Sequence, residues 1–183
     1  MKALKTPLRY PGGKSRACTK LAQHFPDLNK YKEYREPFVG GGSVALYVTK
    51  MFPHLKIWVN DLYQPLYNFW KELQHDGQAL QDKLWTIKNM HPDRDTAKEL
   101  FLKAKEDVND EKQSNFDRAC AFYIVNKCSF SGLTESSSFS PQASESNFSF
   151  RGIEKLGDYG KLIENWIITS HSYERLFTND WDK

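Results

Sequence analysis

Apolar and polar positions along the chain fall into short strand-like runs separated by longer stretches with helical spacing. The segment YREPFVGGG (34–42) carries a brief hydrophobic run onto three glycines, and SVALYVTKMF follows with helical character. That order predicts a strand, a tight glycine turn and a helix N-terminus. HLKIWVND predicts a second strand, with Ile57, Trp58 and Val59 apolar and the acidic Asp61 at its C-terminal end. LYQPLYNFWKEL then reads as a helix opened by Pro65, a residue whose fixed φ suits a first helical turn. Three further helical patterns follow, in GQALQDKLWTIKNM, DTAKELFLKAKEDV and SNFDRACAFYIVNK. In the second, Asp95 suits an N-cap, with Lys98 where a capping box would take an acid. The third is expected to bury Phe116, Ala119, Cys120, Tyr123 and Val125 on one face.

Residues 129–151 hold nine Ser, with Phe at 130, 139, 148 and 150. Serine-rich stretches favour flexible linkers, but the spaced phenylalanines favour a loop or hairpin that orders on binding, and NFSF alternates like a short strand. GIEKLGDYGKLIEN suggests a broken helix, and WIITSHSY a third strand. The expected layout is an α/β part over 1–75, a helical insertion with its Ser/Phe-rich segment over 76–152, and a return to the α/β part over 153–183. Strand, glycine turn, helix, strand and acid make the first half of a nucleotide-binding α/β unit. In such a unit glycines let the backbone approach a ligand, and the acid accepts hydrogen bonds from ribose hydroxyls.

Composition narrows the class. The 183 residues include twelve Phe, nine Tyr and five Trp, enough to fill a core, and no apolar run is long enough to span a membrane. The N-terminal MKALKTPLRYPGGK has no apolar core of a secretory signal. Cysteines at 18, 120 and 128 form no CxxC pair, which fits a reducing, cytoplasmic setting. The five His show no zinc-ligand spacing, so no metal site is expected. Net charge is +3, distributed unevenly: residues 1–35 carry nine Lys/Arg against Asp27 and Glu33. A basic end suits a polyanion such as DNA, and equally an ordinary solvated surface.

The stretch LRYPGGKSR imitates the end of a phosphate-binding loop. That loop needs a glycine five residues before its Gly-Lys pair; Leu8 stands there, and too few residues precede it for a launching strand.

Taken together, RYPGGKSR, EPFVGGGSV, VNDLYQPLYNFW and FYIVNKCSFSGL resemble the Dam-type, D12 class of DNA adenine-N6 methyltransferases from about residue 7 onward. The resemblance implies an α/β fold: a partial Rossmann-like class I methyltransferase sheet with an inserted helical DNA-recognition subdomain. It implies S-adenosyl-L-methionine as cofactor and double-stranded DNA as partner. By position, Tyr10, Lys14, Glu36, Phe38, Gly40, Gly42 and Asp61 match the cofactor-binding motifs, and Asp61 also suits a cap for the following helix. Asn126, Lys127 and the loop beyond them match the DNA-contacting region, to which Arg9 and Arg151 are added as candidates. The Ser/Phe segment departs from the family's recognition-hairpin pattern, so no target sequence carries over.

One family motif has no counterpart. Asp/Asn-Pro-Pro-Tyr/Phe, which follows the fourth strand and holds the target amine, is absent; none of the eight Pro is followed by another. The expectation is a split half or incomplete copy, inactive alone. Its first strand would lie on an exposed edge that is completed by a second chain, by self-association or by a longer product. The alternative is a catalytically inactive module that binds DNA or S-adenosyl-L-methionine.

Overall fold

The computed structural model describes residues 5–10, 17–132 and 136–178. Three parallel strands, β1 (Glu33–Glu36), β2 (Lys56–Asn60) and β3 (Ile167–Thr169), form a sheet in the order β1-β2-β3. The register pairs Tyr34 with Ile57 and Glu36 with Val59 on one side of β2, and Trp58 with Ile167 and Asn60 with Thr169 on the other. Central β2 is buried from Ile57 to Asn60, as expected for a parallel strand covered on both faces. β1 is half-buried throughout and lies at the sheet edge among the described residues.

Helices α1 (Cys18–Ala22) and α2 (Ser43–Met51) precede β2, and α3 (Gln64–Met90) follows it. Next come α4 (Arg94–Asp107), α5 (Asn115–Cys128), α6 (Pro141–Ser146), α7 (Phe150–Ile153) and α8 (Leu156–Leu162), which lead into β3. The two helices expected either side of residue 76 are both present within α3, which is interrupted at Asp76 (φ −152°, ψ 77°). Asp76 leaves the helical geometry and its Oδ1 accepts the amide of Ala79, so the bend restarts the helix with its own cap. On either side of Asp76, α3 packs closely on α8. A Cβ on Gly77 would stand 2.9 Å from the Leu156 carbonyl oxygen, and one on Gly160 2.6 Å from that of Leu73.

Three local expectations are corrected. The cap of α4 is Asp93, whose Oδ1 accepts the amides of Asp95 and Thr96 while Thr96 Oγ1 returns to the Asp93 amide. This reciprocal box outcompetes a start at Asp95. α5 is buried around its whole circumference from Ala119 to Cys128, because α3, α4 and α6 all pack against it, so it has no single core face. NFSF does not form a strand. Ser149 Oγ caps α7 by accepting the Gly152 amide, and serine capping wins over alternation in so short a run. Part of the Ser/Phe segment does turn back on itself, through an isolated antiparallel bridge between Ser129 and Phe139.

The buried apolar residues form one cluster running from Leu8 through α2, β2, α3 and α5 to Ile168. Phe69 is at its centre, 5.6–6.0 Å from Phe122 and Tyr123 of α5 and 5.7 Å from Trp70. Among the described residues no helix is long and apolar enough to cross a membrane.

Candidate functional site

The C-terminal ends of β1 and β2 meet beneath the glycine turn. In parallel α/β sheets this is where ligands bind, because the strand ends diverge into loops there. Val39 extends the β1–β2 ladder by donating to the Asn60 carbonyl (2.9 Å), and the chain then turns through Gly40 (φ 49°) and Gly42 (φ 71°) into α2. Both glycines are left-handed, a conformation that side chains resist. Space excludes side chains as well: a Cβ on Gly42 would approach the Trp70 ring to 2.7 Å, and one on Gly40 or Gly41 would meet Tyr10 at 2.9 Å.

Asp61 locks this turn. Its Oδ2 accepts the Gly40 amide (3.0 Å) and its Oδ1 the Tyr63 amide (3.2 Å). One carboxylate therefore holds the glycine loop and the start of α3 together. A carboxylate offers about four acceptor positions, so lone pairs remain for further donors such as vicinal hydroxyls. Tyr10 lies on the glycine turn with its phenol titration raised, first by burial and then by the Asp61 charge, so its hydroxyl keeps its proton. Phe38, also on the turn, is 70% exposed, its ring 5.5 Å from that of Tyr173. Glu36, the last residue of β1, accepts a hydrogen bond from the Tyr34 hydroxyl (3.0 Å). The structure thus gathers Tyr10, Gly40, Gly42 and Asp61 directly, with Phe38 beside them. Lys14 lies outside the described residues.

The four candidates for DNA contact have different placements. Asn126 is buried and clasps the N-terminal segment: Oδ1 accepts the Arg9 amide (2.9 Å), while Nδ2 donates to the carbonyls of Arg9 (2.6 Å) and Gly132 (3.1 Å). Arg9 Nη1 donates to the Ser129 carbonyl (2.8 Å), and burial lowers its titration. Lys127 is 8% exposed, its ammonium 5.2 Å from the Tyr123 ring centroid. Arg151 is exposed on α7. Lys127 and Arg151 line one cavity, described below.

Several supporting residues escaped the sequence reading. Asn60, fully buried at the end of β2, donates to the carbonyls of Pro37 (3.2 Å) and His171 (3.0 Å) and accepts from Thr169 Oγ1 (2.8 Å) and the His171 amide (3.0 Å). It ties all three strand ends together. Trp70 Nε1 donates to the Gly40 carbonyl (3.1 Å), and the Thr6 hydroxyl to that of Gly41. The adjacent pair Asn60–Asp61 was the available signal, since a polar residue ending an apolar strand needs partners. Trp70 and Thr6 gave none, because their partners are 30 and 35 residues away.

The family model for D12 class N6 adenine-specific DNA methyltransferases matches residues 10–182. The Type II methyltransferase M.MjaIII of Methanocaldococcus jannaschii is 28% identical over 133 residues, 69% of this chain and 46% of that protein. A DNA adenine methylase of Vibrio cholerae is 30% identical over 135 residues, 73% of this chain and 44% of that protein. A DNA N-6-adenine-methyltransferase of Escherichia phage P1 is 30% identical over 129 residues, covering 69% of this chain and 15% of that protein. The chain matches just under half the length of the first two relatives. The chain belongs to the D12 class N6 adenine-specific DNA methyltransferase family.

Proposed function

We propose that this chain builds the S-adenosyl-L-methionine pocket and the DNA-facing surface of a DNA adenine-N6 methyltransferase. The observation that carries this reading is the Asp61–Gly40–Tyr10 arrangement at the C-terminal ends of β1 and β2. Asp61 keeps acceptor positions for the ribose hydroxyls, the glycine turn presents backbone to the cofactor, and Tyr10 and Phe38 offer apolar faces beside it. Glu36 and Lys14 complete the cofactor set. When bound, the cofactor supplies the methyl group on a sulfonium centre. Residues 76–152 serve as the recognition insertion, flanked by cofactor-binding parts over 1–75 and 153–183, and Arg9, Asn126, Lys127 and Arg151 serve the DNA side. Arg9 and Asn126 act there by shaping the N-terminal segment against α5.

The chemistry asks for one further element. The exocyclic amine of adenine is a poor nucleophile, because its lone pair is delocalised into the ring. Hydrogen-bond acceptors of an Asp-Pro-Pro-Tyr-type turn redirect that lone pair, and its aromatic stacks on the flipped base. Residues 1–183 contain no such tetrapeptide. The turn and its strand are therefore assigned to a segment outside these residues, pairing on the edge of β1, in a longer polypeptide, a second chain or another copy. The same absence favours one second reading, a module that binds DNA or S-adenosyl-L-methionine without catalysis.

Calorimetry with S-adenosyl-L-methionine on this chain tests the pocket; absence of binding rejects it. Methyl transfer to duplex DNA, with and without a supplied segment bearing Asp-Pro-Pro-Tyr, separates the readings. Transfer only with the segment supports the enzyme, and none in either case supports the binding module.

A further inference from the structure

A cavity of about 250 Å³ opens between the N-terminal segment, the end of α5 and the α7–α8 corner. Lys5, Lys127, Arg151 and Lys155 line it together with Ser149 and Tyr159, and among the described residues no carboxylate does. Among the described residues none of these four cations forms an ion pair. Lys5, Arg151 and Lys155 are exposed, and water can solvate them. Lys127 differs: its side chain is buried, and its neighbours are the Tyr123 ring, Arg9 and the Cys128 thiol.

A buried ammonium without a counter-charge carries a desolvation penalty that a bound anion relieves. Burial, and then the like charge of Arg9, push Lys127 down to about 8. An unsatisfied polar group lies behind the cavity wall. The Tyr123 hydroxyl is fully buried and has no hydrogen-bond partner among the described residues, and it lies 3.5 Å from where a Cβ on Gly152, a lining residue, would be. The largely buried Lys127 thus meets a cavity rimmed by three further cations and the Ser149 hydroxyl, with the Tyr123 hydroxyl behind its Gly152 wall. The cavity is too small for a duplex to enter, so its occupant is one projecting anionic group.

We propose that this cavity is a phosphate socket that seats a single backbone phosphate of the DNA, with Lys127 at its base and Arg151, Lys155 and Lys5 at its rim. The proposal rests on the DNA reading above and deepens it. It assigns Lys127 to the backbone, which sets register, rather than to a base edge, which reads sequence.

The test is duplex binding by fluorescence anisotropy across a salt series, for the unsubstituted chain and for Arg151→Gln/Lys155→Gln, whose exposed positions leave the core intact. Lys127→Met is the second variant. In parallel, amide resonances of Gly152 and Lys155 are followed during titration with inorganic phosphate. Each lost phosphate contact lowers the slope of log affinity against log salt by about 1, uniformly across DNA sequences. The socket predicts that loss in the double variant, together with phosphate-induced shifts at Gly152 and Lys155 in the unsubstituted chain. Duplex binding with an unchanged slope in the double variant and no phosphate shifts would overturn the socket while the DNA reading stands. Phosphate shifts without any duplex binding would overturn the DNA occupant and assign the socket to a phosphate from another source. Neither response would reject both.

Discussion

The Gly40 amide donates to Oδ2 of Asp61 across 3.0 Å, joining the turn after β1 to the end of β2. The second oxygen of the same carboxylate holds the Tyr63 amide at the start of α3. This makes Asp61 both an architectural residue and the acceptor left facing the proposed ribose. Asp61→Ala removes both bonds and strands two amides, an expected loss of roughly 1–3 kcal/mol in stability. Asp61→Asn keeps one good acceptor and is expected to fall between. In calorimetry, S-adenosyl-L-methionine binding should drop in both variants by more than the fraction unfolded accounts for. Binding that merely follows the folded fraction, read from thermal denaturation, would confine Asp61 to architecture.

Gly42 meets two independent restrictions, a φ of 71° and a Trp70 ring that a Cβ would approach to 2.7 Å. Left-handed backbone costs a side chain about 1–2 kcal/mol and overpacking adds about 1–3. Gly42→Ala should therefore destabilise by at least about 2 kcal/mol in chemical denaturation. The Gly42→Ala penalty should shrink, but not vanish, when measured in a Trp70→Phe background, where that background's own loss of the Nε1–Gly40 bond cancels in the difference. A penalty that disappears in that background would show that φ contributes nothing, and an unchanged penalty that the ring is not the obstacle.

These two residues also show why part of the molecule was legible in its sequence. The glycine turn, Asp61 and the β-rich stretches around Val59 and Ile168 are local patterns whose chemistry is written in a few adjacent letters. Partners distant along the chain were not legible. Nothing in the sequence pairs Trp70 with Gly40, Thr6 with Gly41, or Asn126 with Arg9, because tertiary packing alone brings them together. The reading of α5 placed Ala119, Cys120, Tyr123 and Val125 correctly in the core but missed the burial of its other faces for the same reason. A helix covered by three neighbours keeps no periodicity to detect, and its Asn126 and Lys127 resemble surface residues until the neighbours are in place. The strand expected in NFSF was lost to a Ser149 cap, a choice between two weak local signals.

Asn126 binds both the amide and the carbonyl of Arg9 and also the Gly132 carbonyl, so it fastens the N-terminal segment and the loop after α5 to one buried side chain. Asn126→Ala is expected to cost roughly 2–3 kcal/mol, since several buried backbone groups lose their partner at once. The local signature is more specific: hydrogen exchange at the Arg9 amide should accelerate well beyond the global change. Uniform acceleration across the chain would mean that Asn126 stabilises the core generally and does not tether this segment.

Lys127 gives the chain a pH dependence whose sign is fixed by burial. In the unfolded chain it titrates near 10.5, and in the folded chain at about 8. Between those values the unfolded state holds the proton and the folded state does not, so this residue makes stability rise with pH. Below about 8 both states are protonated and the penalty of burying the charge is present in full; above 10.5 it is gone. Cys120 and Cys128, buried and pushed up to about 12, act in the opposite direction, because the unfolded chain releases their protons first. The informative quantity is therefore the stability of the unsubstituted chain minus that of Lys127→Met, measured by denaturant titration across pH 8 to 10.5. That difference should climb through the window. Lys5, Arg151, Lys155 and Tyr159 share the cavity, and Arg9 and Cys128 neighbour the ammonium; all six remain in the variant. A bound phosphate should shift the climb to higher pH by holding Lys127 charged in the folded state. A flat difference would show that the ammonium is already solvated, and would remove the electrostatic reason for an anion to enter the cavity.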